Sequence, residues 1–193
     1  MRETTDHPRG PPPRKVPRRR VLKAALAVGL LVGGSAMALA RTRGYVVAPG
    51  RKLDALTPWQ FVVVQHAARR IVAPDRDGDA SIPTADDLDV AAFVDGWLAR
   101  LPQRMRRDLG RFLAYIEHVA PVGAGFEARF TRLGSGEQDR VLASVEASTS
   151  DLLRAGFDGL RSLVFLGYYR DPRTWRVVGY DGPLVDRPRS GWR

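Results

Sequence analysis

The chain has 193 residues, 44% of them hydrophobic and 27% charged, with 31 Lys plus Arg against 21 Asp plus Glu for a formal net charge of +10. That balance suits one globular domain with an appendage and excludes wholesale disorder. The absence of cysteine excludes a disulfide scaffold, thiolate metal sites, iron–sulfur ligation, covalent haem attachment and a Cys nucleophile.

The charge is unevenly spread. Residues 1–40 hold eight basic and two acidic residues, or +6, leaving +4 on the other 153. Residues 1–20 are polar, Pro-rich and basic, ending in Pro17-Arg18-Arg19-Arg20. An apolar stretch from Ala24 to Ala40 follows, diluted by Gly29, Gly33, Gly34 and Ser35 and closing on Ala38-Leu39-Ala40, of the A-x-A form that signal peptidases accept. Arg18, Arg19, Val21, Leu22 and Lys23 resemble the twin-arginine export consensus: two arginines, a spacer, an apolar pair and a lysine. The alternative is an uncleaved membrane anchor, since 17 helical residues span roughly 26 Å against a hydrocarbon core of about 30 Å. In both cases the basic end stays inside and residues 41–193 are expected to be exported across the cytoplasmic membrane, to the periplasm or the outer face of that membrane. A basic arm for nucleic acid is disfavoured, because the apolar stretch suits neither solvent nor phosphates.

Residues 41–55 read as a linker or strap, with Gly44, Pro49 and Gly50. Thr57-Pro58-Trp59-Gln60 then opens a helix with a cap, a proline at its first position and a capping-box glutamine, and Leu56 and Phe61 are spaced for a hydrophobic staple. This helix is expected to run to about Ala73 and to lie centrally, because Phe61-Val62-Val63-Val64 is apolar nearly all round. A second helix is expected from Thr84 or Asp86 to Leu101, with Leu88, Ala91, Val94, Leu98 and Leu101 on one face. A third reaches about Ala120, with Met105, Leu109, Phe112, Leu113 and Ile116 as its stripe. A short helix around Phe126–Leu133, one opened by the capping pattern Ser135-Gly136-Glu137-Gln138, and a last long helix over about Asp151–Tyr168 complete the set. Strand alternation is confined to a hint at Trp175-Arg176-Val177-Val178. The expected fold is all-α: one compact domain of about six helices over residues 56–185, an irregular C-terminal strap, a tail over 186–193 and an N-terminal signal or anchor helix.

Asp75-Arg76-Asp77-Gly78-Asp79 puts carboxylates at positions 1, 3 and 5 of a loop between helices, as in an EF-hand, with Ile82 at position 8 and Asp86 at position 12. The glycine expected at position 6 is Ala80 and position 9 is Pro83, so Asp75, Asp77, Asp79 and Asp86 are a weak calcium candidate beside the plainer reading of a solvated, helix-capping loop. His66 and His118 stand alone, without the His-x-x-x-His or Glu-x-x-His spacing of a metal site, and read as packed or capping residues. No nucleophile elbow, phosphate loop or dinucleotide fingerprint occurs, so no catalytic or cofactor-binding residue is assigned. Arg104, Arg106, Arg107 and Arg111 make a basic face on the third helix, interrupted by Asp108 and read as its solvated side. The most unusual stretch, residues 167–183, holds four aromatics, two prolines and three glycines. Tyr, Trp and Arg together are what interface hot spots are made of, and Tyr168, Tyr169, Trp175, Tyr180 and Asp181 are candidate partner contacts or strap anchors.

Leu56-Thr57-Pro58 with Arg69-Arg70-Ile71-Val72-Ala73-Pro74-Asp75, the helix Val90-Ala91-Ala92-Phe93-Val94-Asp95 and the ending Gly167-Tyr168-Tyr169…Asp171-Pro172…Gly179-Tyr180-Asp181-Gly182-Pro183 resemble the gluconate 2-dehydrogenase subunit 3 family. The resemblance covers about residues 54–185. It implies a small, non-catalytic partner of a flavoprotein dehydrogenase of the glucose–methanol–choline type, with FAD and haem c in other subunits, the latter in a cytochrome c chain. It also implies that this chain carries the folded catalytic subunit through the twin-arginine translocase, with membrane association. An exported helical binding module working alone is the competing reading, and no substrate transfers from the family.

Overall fold

The computed structural model of the chain describes residues 44–72 and 81–183. Over these residues the chain forms six α-helices and two 3-10 segments. The α-helices are α1 (Pro58–Ile71), α2 (Val90–Ala99), α3 (Gln103–His118), α4 (Ala120–Gly123), α5 (Ser135–Glu146) and α6 (Asp151–Tyr169). The 3-10 segments are Phe130–Arg132 and Pro172–Val178.

α1 starts where its capping residues dictate. Pro58 stands at the first position and the Gln60 side chain accepts from the Thr57 N–H at 2.9 Å. Leu56 and Phe61, one on each side of the cap, are both buried, as a hydrophobic staple requires. Phe61, Val62, Val63, Val64, Ala67 and Ala68 are all buried, and α1 packs against α2, α3, α5, α6 and the first 3-10 segment. It is the central helix expected from its all-round apolar run.

Several boundaries differ from expectation. α2 begins at Val90, not at Thr84 or Asp86. Residues 84–89 instead form a turn in which Asp87 accepts from the Thr84 N–H at 2.8 Å and hydroxyl at 2.7 Å. Asp89 then adopts the left-handed conformation (φ 46), which stops the turn from joining the helix in register. The helix expected around Phe126–Leu133 is only the 3-10 segment Phe130–Arg132, and α3 breaks at Val119 before the single turn of α4. The cap of α5 is Gly134, whose N–H donates to Glu137 at 2.9 Å, so Ser135 lies inside the helix. Trp175-Arg176-Val177-Val178 is 3-10, not strand.

Two buried carboxylates tie the segment preceding α1 to the helices. Asp95 of α2, 3% exposed, accepts from three consecutive backbone N–H groups: Asp54 at 2.7 Å, Ala55 at 3.0 Å and Leu56 at 2.6 Å. Glu117 of α3, fully buried, accepts from the Tyr45 hydroxyl at 2.7 Å, the Thr131 hydroxyl at 2.7 Å and the Thr131 N–H at 3.1 Å. The Arg129 guanidinium lies 3.5 Å from the same carboxylate and stacks 4.3 Å over the Tyr45 ring. Burial raises the Glu117 pKa, while Thr131, Tyr45 and Arg129 pull it down. Burial likewise raises that of Tyr45, helped by Glu117. Arg51 adds an ion pair to Asp89 at 2.7 Å. Residues 44–56 therefore form a strap fixed to the domain.

Candidate partner-binding segment

The last helix brings its final turn against α2. Gly167 is close-packed there: a Cβ on it would sit 2.8 Å from Phe93 and 3.1 Å from Val90. One residue on, Tyr168 is 1% exposed and donates its hydroxyl to the Pro83 carbonyl at 2.9 Å. Burial raises its pKa, with a smaller contribution from Tyr169. Arg170 donates to the Leu88 carbonyl at 3.0 Å and stacks over the Phe93 ring at 5.0 Å. Tyr168 thus belongs to the core and acts as an anchor from within.

Beyond α6 the chain turns on Asp171, which accepts from the Arg173 N–H at 2.9 Å and pairs with its guanidinium at 2.8 Å. The Arg173 hydrogen bonds, side chain first and backbone next, hold the Asp171 pKa down at about 2. Thr174 is buried and donates to the Asp171 carbonyl at 2.8 Å. The Trp175 indole N–H donates to the Tyr169 carbonyl at 2.8 Å. The Trp175 bond uses a carbonyl at the end of α6 that lacks a helical partner. Gly179 (φ 64) reverses the chain, and Tyr180 returns edge-on to Trp175 with ring centroids 5.0 Å apart. Gly182 (φ +102) lies against the same indole.

What this arrangement leaves outside is apolar. Val178 is 58% exposed, Tyr180 45% and Val177 42%. Beside them lies an open groove of about 440 Å³ lined by Ser81, Pro172, Arg173, Trp175, Arg176, Tyr180 and Asp181. Arg176 bonds to Ser81, tying the segment to the turn before α2. Two guanidiniums, one carboxylate and two aromatic faces suit docking of a polypeptide; they contain no paired nucleophile and base. Tyr169, Trp175, Tyr180 and Asp181 are thus brought together around this groove or its supports, and Tyr168 sits beneath them.

The other sequence candidates fall elsewhere. Arg18, Arg19, Val21, Leu22 and Lys23 lie outside the described residues, as do Asp75, Asp77 and Asp79. Asp86 is engaged by Arg69 at 2.6 Å and by Gln65 at 3.2 Å. Among the described residues no group of three or more His, Cys, Asp or Glu could hold a metal ion. His66 Nδ1 stands 2.9 Å from the Gln138 amide nitrogen, and burial lowers its pKa, so the ring is a neutral acceptor. The His118 ring lies 6.3 Å from Trp59. Both histidines are packed side chains. Asp95 and Glu117 drew no structural role from the sequence. Their signal was there: Asp95 lies four residues after Ala91 and three before Leu98, inside a buried stripe, and Glu117 follows Ile116.

The family model described as gluconate 2-dehydrogenase subunit 3 matches residues 58–182. The match takes in every α-helix of the described residues and the C-terminal segment as far as Gly182. The chain belongs to the gluconate 2-dehydrogenase subunit 3 family. Comparison with curated proteins and with solved structures found no match. Family membership agrees with an accessory place in a dehydrogenase complex and says nothing of the substrate.

Proposed function

We propose that this chain is the non-catalytic small subunit of an FAD-dependent dehydrogenase of the glucose–methanol–choline type, binding and stabilising the catalytic chain and escorting it, folded, through the twin-arginine route to the periplasm. The observation that carries this reading is the family match over residues 58–182. It is supported by the C-terminal segment, which fixes Tyr168, Thr174 and Trp175 inward and presents Val177, Val178 and Tyr180 outward. An apolar surface rimmed by Arg173, Arg176 and Asp181 has the composition of a protein interface. FAD, and haem c where a cytochrome subunit is present, belong to the partner chains in this reading.

The twin-arginine pattern at Arg18 and Arg19 supports the escort. That route moves folded cargo, and the cargo requiring a cofactor before export is the flavoprotein. The decisive experiment is affinity capture of the tagged full chain from its native host, followed by absorption spectroscopy of what co-elutes. A stoichiometric flavoprotein is expected. Capture of the chain without any flavin-containing protein defeats the reading.

A further inference from the structure

We propose that the outer face of α2 docks an apolar helix of the flavoprotein, whose carboxylates meet Arg100 and Arg170. This rests on the accessory-subunit reading above and adds to it a second contact surface with a stated partner chemistry.

α2 differs from the other helices of more than one turn in having no exposed charge. Its only ionisable residue, Asp95, is 3% exposed and bonded to the segment before α1. A helix apolar all round is ordinarily buried all round. α2 is buried on one side only, by Val90, Ala91, Val94, Asp95 and Leu98. At about 100° per residue, Ala92, Phe93, Gly96, Trp97 and Ala99 share the remaining arc, and each is half-buried or exposed. The arc has relief. Phe93 and Trp97, with ring centroids 5.7 Å apart, form a ridge on the side of α6, where Phe93 meets the Gly167 backbone position. Ala92, Gly96 and Ala99 form a recess on the other side, and a Cβ added at Gly96 would meet nothing within 4 Å.

Charge selects the occupant. Arg170 stacks over the Phe93 ring at 5.0 Å, and Arg100, exposed and still helical in conformation, continues the same arc beyond Gly96 and Trp97. Phe93 and Arg100 are separated by seven residues, roughly 10 Å along the helix. Asp89, just before the helix, is already paired with Arg51. Pairing this face with itself in a second copy would bring guanidiniums together with no exposed carboxylate of α2 to meet them. A bilayer is met by protruding apolar side chains, whereas Ala92, Gly96 and Ala99 recede. A helix that sets apolar side chains into the recess and carries carboxylates about two turns apart satisfies both features. The face also runs on into the surface assigned to the flavoprotein, because Arg170 leads directly into the segment that presents Val177, Val178 and Tyr180.

The test is affinity capture of the tagged full chain from its native host, reading the flavin-to-chain ratio by absorption and the melting temperature of each variant. Gly96→Gln fills the recess. It should keep or raise the melting temperature, because glycine is the poorer helix former, yet lower the flavin-to-chain ratio about tenfold by overpacking the contact. Gly136→Gln, at an equally open glycine of α5, should match wild type. Arg100→Glu should lower the ratio about tenfold, and Arg100→Lys should leave it near wild type. If Gly96→Gln lowers the melting temperature, Ala99→Gln on the same arc replaces it. Undiminished capture by the glutamine variant overturns the assigned face and leaves the accessory-subunit reading standing. Undiminished capture by Arg100→Glu overturns the carboxylate pairing. Sedimentation of the chain alone as a dimer that Gly96→Gln dissociates gives the face to a second copy and overturns the proposal as well. A wild-type chain that brings down no flavoprotein defeats the accessory-subunit reading itself, and the proposal with it.

Discussion

Two irregular segments bracket the helices, and they are fastened in opposite ways. Residues 44–56 donate backbone N–H groups and a phenol to two carboxylates already buried in the helical body, Asp95 and Glu117. Residues 170–183 send Thr174 and Trp175 back to the Tyr168 and Tyr169 carbonyls at the end of the preceding helix and leave Val177, Val178 and Tyr180 outside. The first segment completes the core's polar accounting, so removing it leaves charges unsatisfied. The second is fastened by its inner side chains and by Arg170 and Arg176, which bond Leu88 and Ser81, so its outer side chains can be altered without disturbing what lies below. The difference separates a structural strap from a displayed surface.

The strongest way to break this contrast is at the carboxylates. Asp95→Ala leaves three backbone N–H donors, that of buried Leu56 among them, without this acceptor, and Glu117→Ala removes the buried acceptor of the Tyr45 and Thr131 hydroxyls. Each is expected to destabilise the domain by about 3–5 kcal/mol, measured by urea unfolding at neutral pH. A loss below about 1 kcal/mol would mean that water replaces the carboxylate and that the strap is peripheral.

A smaller effect is expected within α6, where the same inside–outside contrast recurs on two glycines. A Cβ at Gly156 would fall 2.5 Å from the Phe112 ring, whereas Gly159 meets nothing within 4 Å. Gly156→Ala should cost about 1–3 kcal/mol through overpacking. Gly159→Ala should gain up to about 1 kcal/mol of helix propensity. Thermal unfolding of the pair reads both, and matching signs would refute the packing assigned to Phe112.

The pH dependence sharpens the strap further. Glu117 has its folded pKa raised above 4.5, chiefly by burial, so the folded state binds a proton more tightly than the unfolded state. The corresponding stability is present below 4.5 and is lost as pH rises through the folded pKa. Stability measured between pH 4 and neutrality should therefore carry a downward contribution that disappears in Glu117→Gln. An identical pH profile in wild type and variant would remove Glu117 as its source.

The smallest expected change in stability is at the displayed surface. Val178→Asp should leave the unfolding free energy within about 0.5 kcal/mol and Tyr180→Ala should cost about 1 kcal/mol through its pairing with Trp175, while flavoprotein capture falls sharply in both. Should either variant unfold the domain, the segment is part of the core and the contrast with the strap fails.

Much of this molecule was legible from residue order. Pro58, Gln60 and the staple of Leu56 and Phe61 determined where α1 starts, because capping is local chemistry. The 3–4 spacing of Phe112, Leu113 and Ile116 chose the buried face of α3, and the C-terminal motif pointed to the family. The start of α2 was not legible, because the left-handed Asp89 that sets it is a conformation many sequences share and few adopt. Nor could sequence separate the roles of adjacent aromatics. Tyr168 and Tyr169 are chemically equal neighbours, and only the packing of α6 on α2 turns the first inward to Pro83.

By itself, then, the sequence determined the helical class, the central place of α1, the address-like charge at the N-terminus and an aromatic C-terminal segment suited to a partner. The tertiary structure decided which polar groups are structural. Asp95 bonds backbone about 40 residues away and Glu117 bonds a phenol 72 residues away. Those pairings arise from how helices cross, and no local periodicity encodes them. It also decided which apolar side chains have nothing to pack against, since exposure depends on neighbours supplied by the rest of the fold.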